Sequence, residues 1–213
     1  VMKRGIGIDL LMKITIAGIP LPDEIGSFPT SQDGNGHVSR VAAQLRMILR
    51  INHARNALGM KRQIFLAALE GFDTHDAQLT DHAVLLSEAS KDIADFQQHT
   101  EELGIADKVT PNTASDFNRT YNSNGKGSDH AWGGHHMIVG GAVNGGQLYG
   151  QTPSLEIRGP DDTGSRDSWI PKVSTDEMAA TLARGSGVSD AELPLIQPNI
   201  GPFTSRDTGF MNL

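Results

Sequence analysis

Three polar clusters in this chain combine carboxylates with histidines, the residue types that ligate divalent metals and move protons. Asp73 and His75 stand two positions apart, Asp116 follows, and His130, His135 and His136 crowd one glycine-containing stretch. Six of the eight histidines fall between positions 75 and 136. Carboxylate oxygen and neutral imidazole make a borderline-hard donor set, suited to zinc, manganese or iron. Asp-x-His places two donors within one turn, and Gly133-Gly134 lets backbone approach closely between histidines. Each residue also has a plain structural use. Asp73 can cap the following helix, and a His in an Asp-rich loop is commonly solvated. His82 reads as surface, His99 as a partner of a helix C-terminus, and His37 and His53 as ordinary polar positions.

Other chemistries are excluded by residue type. Without cysteine there is no disulfide, thiolate site or cysteine nucleophile. Neither G-x-S-x-G nor H-E-x-x-H occurs, and Gly125-Lys126-Gly127-Ser128 lacks the hydroxyl and upstream glycine of a phosphate loop. The 18 Lys and Arg against 25 Asp and Glu, net −7, show no basic patch and so give no support to a nucleic-acid partner. No apolar run approaches the roughly 20 residues of a membrane-spanning helix.

The elements that must position these residues follow from periodicity. The 213 residues, 38% of them hydrophobic, read as a single domain over 1–213, with 1–37 an N-terminal segment of poor assignment. The abrupt start at Val1-Met2-Lys3-Arg4, with no continuous apolar run behind it, reads as part of a longer protein. Lys13–Ala17 alternates like a strand, and Ser31–Gly36 is loop. A helix is expected over 38–58, stopped by Gly59, then a strand at 63–69 buried on both faces. A second helix over 82–103 turns Leu85, Leu86, Ala89, Ile93 and Phe96 inward. Residues 108–115 are expected as a strand that Pro111 fits badly, 121–128 as a polar loop, 137–139 as a strand and 147–149 as a small edge strand. Ser174 and Glu177 form a capping box for a helix, and a short helix starts at Ser189, stopped by Pro194 and Pro198. This order implies an α/β fold with a mainly parallel sheet flanked by helices. Ligands in such sheets bind beyond the carboxyl ends of the strands, so Asp73, Asp116 and the histidine loop are expected to converge.

Several motifs in consistent order resemble one family. GFDTHDAQ (71–78), SDFNRT (115–120), GSDHAWGGHHMIVGGAV (127–143) and the tail from Ser174 to Met211 resemble bacterial proteins of the DUF1501 group, from about residue 40 onward. That resemblance implies a partial alkaline-phosphatase/sulfatase-like fold and a metal-dependent hydrolase of phosphate or sulfate esters. It implies a divalent ion, zinc foremost, held by Asp73, His75, Asp116 and His130 or His135. Arg119 would clamp an anionic ester oxygen of a small-molecule or polysaccharide substrate. Placement in the periplasm or outside the cell is implied too. The superfamily's Ser, Thr or modified Cys nucleophile and its early metal-binding Asp have no counterpart here. Asn118 stands where Gly is usual, and Gly185-Ser186 where bulky aromatics are. The absent nucleophile favours, for this chain taken alone, the alternative of a non-catalytic binding or structural module that retains the fold.

Overall fold

The computed structural model describes Pro20 and residues 22–28, 39–164 and 166–213. They hold helices α1 (Asp23–Gly26), α2 (Arg40–His53), α3 (Gln78–Glu102), α4 (Thr175–Gly185) and α5 (Leu193–Ile196), and strands β1 (Asn118–Ser123) and β2 (Ser128–Ala131). The described residues fall into two compact units: those up to Phe72 with His82–Ala106, and those of Asp73–Asp81 with Asp107–Leu213. The expected strand Lys13–Ala17, the loop Ser31–Gly36 and His37 lie outside the described residues. No described helix is long and apolar enough to cross a membrane.

Ser39 shows how the first unit is built. Its hydroxyl oxygen accepts the Ala42 amide at 3.2 Å and so caps α2, while its O–H donates to Asp92 Oδ2 on α3 at 2.6 Å. Val41, Ala42, Leu45 and Leu49 are the buried stripe of α2, at the helical spacing seen in the sequence. Gly59, at φ +66°, ends the following turn. On α3 the buried stripe is Asp92, Phe96, His99 and Thr100; of the expected inward residues Phe96 is buried and Leu85, Ala89 and Ile93 are half-buried, whereas Leu86 is 54% exposed. Polar residues share this face with Phe96: Asp92 accepts from Ser39 of α2, and Thr100 O–H donates to Gln97 O at 2.7 Å within α3. His99 Nδ1 meets Asp95 O at 2.7 Å and its ring tilts against Phe28 at 4.9 Å, so it is a packed residue and not merely a dipole partner. The helix closes at Gly104, φ +65°, where Ile105 N–H donates to Thr100 O.

The expected mixture of helix and strand is present, but every strand pair among the described residues is antiparallel and none is parallel. The reasons are local. The expected strands 108–115 and 137–139 meet in one bridge, Asn112 opposite Ile138, with Thr113 N–H donating to Met137 O and Val139 N–H to Pro111 O. Pro111 has no N–H to return, and the ladder stops there. Residues 63–69 join no ladder among the described residues. Their exposure alternates as in a strand, but Ile64 is 100% and Leu66 90% exposed, so the expected burial on both faces is absent. The Gln44 side-chain amide takes both main-chain groups of Ala68, at 2.9 and 3.0 Å, standing in for a neighbouring strand. Residues 147–149 form no strand, and Tyr149 O–H donates to Asn144 O at 2.6 Å.

In the second unit the capping box at α4 is complete, with Ser174 N–H on Glu177 Oε2 at 2.9 Å. Pro194 does not stop the next helix. It sits in the first turn of α5, where a missing N–H costs nothing. Ala180, Leu193 and Ile200 pack with Ala183, Val188 and Phe203 into the core of this tail.

Candidate metal centre

The hairpin of β1 and β2 is the element that builds the site. Asn118 pairs with Ala131 and Arg119 with His130, which places the Arg119 and His130 side chains on one face. The expected loop 121–128 is therefore half strand. Asn124-Gly125 makes its turn, with Gly125 at φ +99° and Asn124 Oδ1 accepting the amides of Lys126 (3.0 Å) and Gly127 (2.8 Å). Thr120 is buried, and its hydroxyl accepts the Asp129 amide at 3.1 Å, tying the two strands across the irregular register.

On that face three nitrogens converge on one oxygen. Asp73 Oδ1 lies 2.7 Å from His130 Nε2, 3.0 Å from His75 Nε2 and 3.0 Å from Arg119 Nη2. Asp73, His75 and His130 each offer a ligand atom within 4.8 Å of the others, a spacing that can hold a metal ion. His75 turns its other nitrogen, Nδ1, to Asp129 Oδ1 at 3.2 Å, and Arg166 pairs with the second oxygen of Asp129. The His130 ring stacks on Phe117, 4.2 Å between centroids and 11° between planes, and Arg119 lies over the same Phe117 ring at 5.0 Å. Phe117 thus fixes the plane of one candidate ligand and the position of the guanidinium beside it. The His130 hydrogen bond is the largest influence on the Asp73 carboxyl; with the Arg119 bond and the charges of His75 and His130 it outweighs desolvation, the second-largest influence, and holds the carboxyl below the usual aspartate range.

Asp116 and His135, the other two expected ligands, are not in this group, and both are exposed on the surface. His136 is half-buried, 3.5 Å from Thr113 Oγ1. Burial pushes its ring below the usual imidazole range, and neighbouring His135 adds to that.

Residues 44–194 match the model of a family described as a protein of unknown function, DUF1501. The chain belongs to the DUF1501 family. No curated protein and no solved structure matches it. All the clustered residues of this DUF1501 chain, from Asp73 to Arg166, lie inside the matched stretch. Sequence reasoning missed Asp129 and Phe117. Asp129 immediately precedes His130 in Ser128-Asp129-His130, and its carboxylate should have been counted with that histidine. Phe117 carried no signal beyond standing two residues before Arg119, the spacing that puts two side chains on one face of a strand.

Proposed function

We propose that Asp73, His75 and His130 hold a divalent cation of the zinc type, and that this DUF1501 chain serves metal-dependent hydrolysis of phosphate or sulfate esters. The observation that carries the reading is the convergence of those three donors from segments 57 residues apart in sequence. Both histidines direct Nε2 inward, the nitrogen a cation would take. His75 keeps Nδ1 on a carboxylate, the outer contact that commonly fixes the tautomer of a metal-binding histidine. A bound cation would supply Lewis-acid polarisation of an ester oxygen. Arg119, steadied by Ser128 O at 2.8 Å and by Phe117, would receive the anionic oxygens of the substrate.

Calorimetric titration with zinc and manganese, followed by assay on 4-nitrophenyl phosphate and 4-nitrophenyl sulfate, tests both halves. Saturable binding that weakens in H75A and H130A, with metal-dependent ester cleavage, is the expected result. Absence of zinc binding overturns the reading. Binding without turnover of either ester favours a non-catalytic metal-binding module, a reading supported by the lack of an identifiable nucleophile.

We also propose that residues 63–69 are one strand of a mainly parallel, alkaline-phosphatase-like sheet. Their position directly before Asp73, where the carboxyl end of a sheet strand would deliver a ligand, supports this. An experimental structure of the full-length product with antiparallel neighbours on both sides of 63–69 would refute it. Export to the periplasm or cell surface rests on resemblance alone, and recovery of the full-length product only in the cytosolic fraction would overturn it.

A further inference from the structure

We infer that the turn of the β1–β2 hairpin, through Asn124 and Gly127, is a positioning device for His75; the inference rests on the metal reading above. Asn124 does two jobs with one amide. Its Oδ1 closes the turn on the Lys126 and Gly127 amides, and its Nδ2 donates to the main-chain oxygen of His75 at 3.0 Å. Gly127 lies flat against the same stretch of chain. A Cβ there would collide with Thr74 O and stand 2.7 Å from the carbonyl carbon and 2.8 Å from the carbonyl oxygen of His75. Backbone conformation does not demand this glycine, since its φ is outside the left-handed region; the space does.

The grip continues on either side. Lys126 Nζ pairs with Asp76 at 3.2 Å, Gln78 N–H donates to Lys126 O at 3.2 Å, and Ser128 O–H donates to Gln78 Oε1 at 2.7 Å. The loop carrying Asp73 and His75 is thus held at positions 75, 76 and 78 by residues 124, 126 and 128 of the hairpin that carries His130. Both halves of the ligand set are referenced to one rigid turn. Restoring an ordinary contact of roughly 3.5 Å around a side chain at 127 would move the loop by more than the about 0.5 Å that a ligand constellation tolerates.

The test uses the full 213-residue chain, with Co(II) as a spectroscopic stand-in for zinc and amide hydrogen exchange over residues 73–78 of the metal-free protein. N124D keeps the acceptor that closes the turn and removes the donor to His75. Its added charge favours a cation, so weaker binding reports the lost clamp. The expected result is about tenfold weaker cobalt binding, an altered visible absorption envelope and faster exchange over 73–78, at an unchanged thermal midpoint. G127A is expected to act in the same direction and more strongly, and N124D decides the matter should G127A fail to fold. Unchanged exchange over 73–78 in N124D overturns the clamp, and faster exchange with unchanged affinity and spectrum overturns its effect on the centre. A wild-type chain that gives no cobalt spectrum sinks the metal reading itself, and this inference with it, and is recognised without any variant.

Discussion

Asp73 Oδ1 is the atom on which the site turns, because one oxygen receives two imidazoles and a guanidinium. Its partners do not contribute equally: the His130 hydrogen bond is the largest influence lowering the carboxyl, ahead of Arg119 and of the charge on His75. A depressed aspartate stabilises the fold above its unfolded pKa, and that contribution is lost as pH falls through the folded value, below the usual aspartate range. In metal-free protein, H130A is therefore expected to raise the Asp73 midpoint, followed by carboxyl-carbon NMR, and to raise it more than H75A does. The reverse order would contradict the geometry. Asp161 obeys the same sign. Lys172 and the Ser154 amide hold its carboxyl down, so K172M is expected to raise its midpoint and bring acid unfolding to a higher pH. An acid transition that does not move in K172M would show that this pair carries no pH-dependent stability.

Ser39 decides more at the level of elements than any other single residue, since one hydroxyl both caps α2 and satisfies a buried carboxylate on α3. Losing the cap costs about 1 kcal/mol, and removing a hydrogen bond from a buried charged group costs about 1–3 kcal/mol more. S39A is expected to lower the urea-unfolding free energy by roughly 2–4 kcal/mol, and S39T to recover most of it. Equal losses in the two variants would remove the hydroxyl from the argument. The apolar stripe of α2 and the capping box of α4 were legible because they are local, written within one or two turns of chain, whereas Ser39 fell inside the expected helix 38–58 and its capping role was not read. The sheet was not. Period-two alternation at 63–69 reports which way side chains point and says nothing about which strand lies alongside, and Pro111 decides its own ladder through a missing N–H. The hairpin was read as a loop over 121–128: Asn124-Gly125 is a turn signal, but the flanking strands are too polar for an apolar alternation to reveal them. Of the site, Asp73, His75 and His130 were readable from residue type and position. Asp116 and His135 have the same chemistry, and their separation from the group depends on the antiparallel pairing that alternation could not give.

Across the whole molecule, the run 63–69 stands out as a strand-like stretch with apolar side chains in solvent. A lone exposed leucine is ordinary, but Ile64 and Leu66 share one face of a period-two run whose main chain meets no strand among the described residues. Such an edge templates pairing with other chains, and natural proteins blunt it with charge. The pair I64K/L66K is therefore expected to lower self-association, measured by light scattering across a concentration series. Its thermal midpoint should barely change, because side chains this exposed surrender no core contacts and surface substitutions shift stability by about 0.5 kcal/mol or less. Net charge offers a competing cause, and its sign separates the two. Two lysines leave the chain less negative than −7, which weakens mutual repulsion and by itself promotes association. The pair I64E/L66E moves the charge the other way. If the apolar edge drives association, both pairs suppress it; if repulsion governs, the glutamates help and the lysines make matters worse.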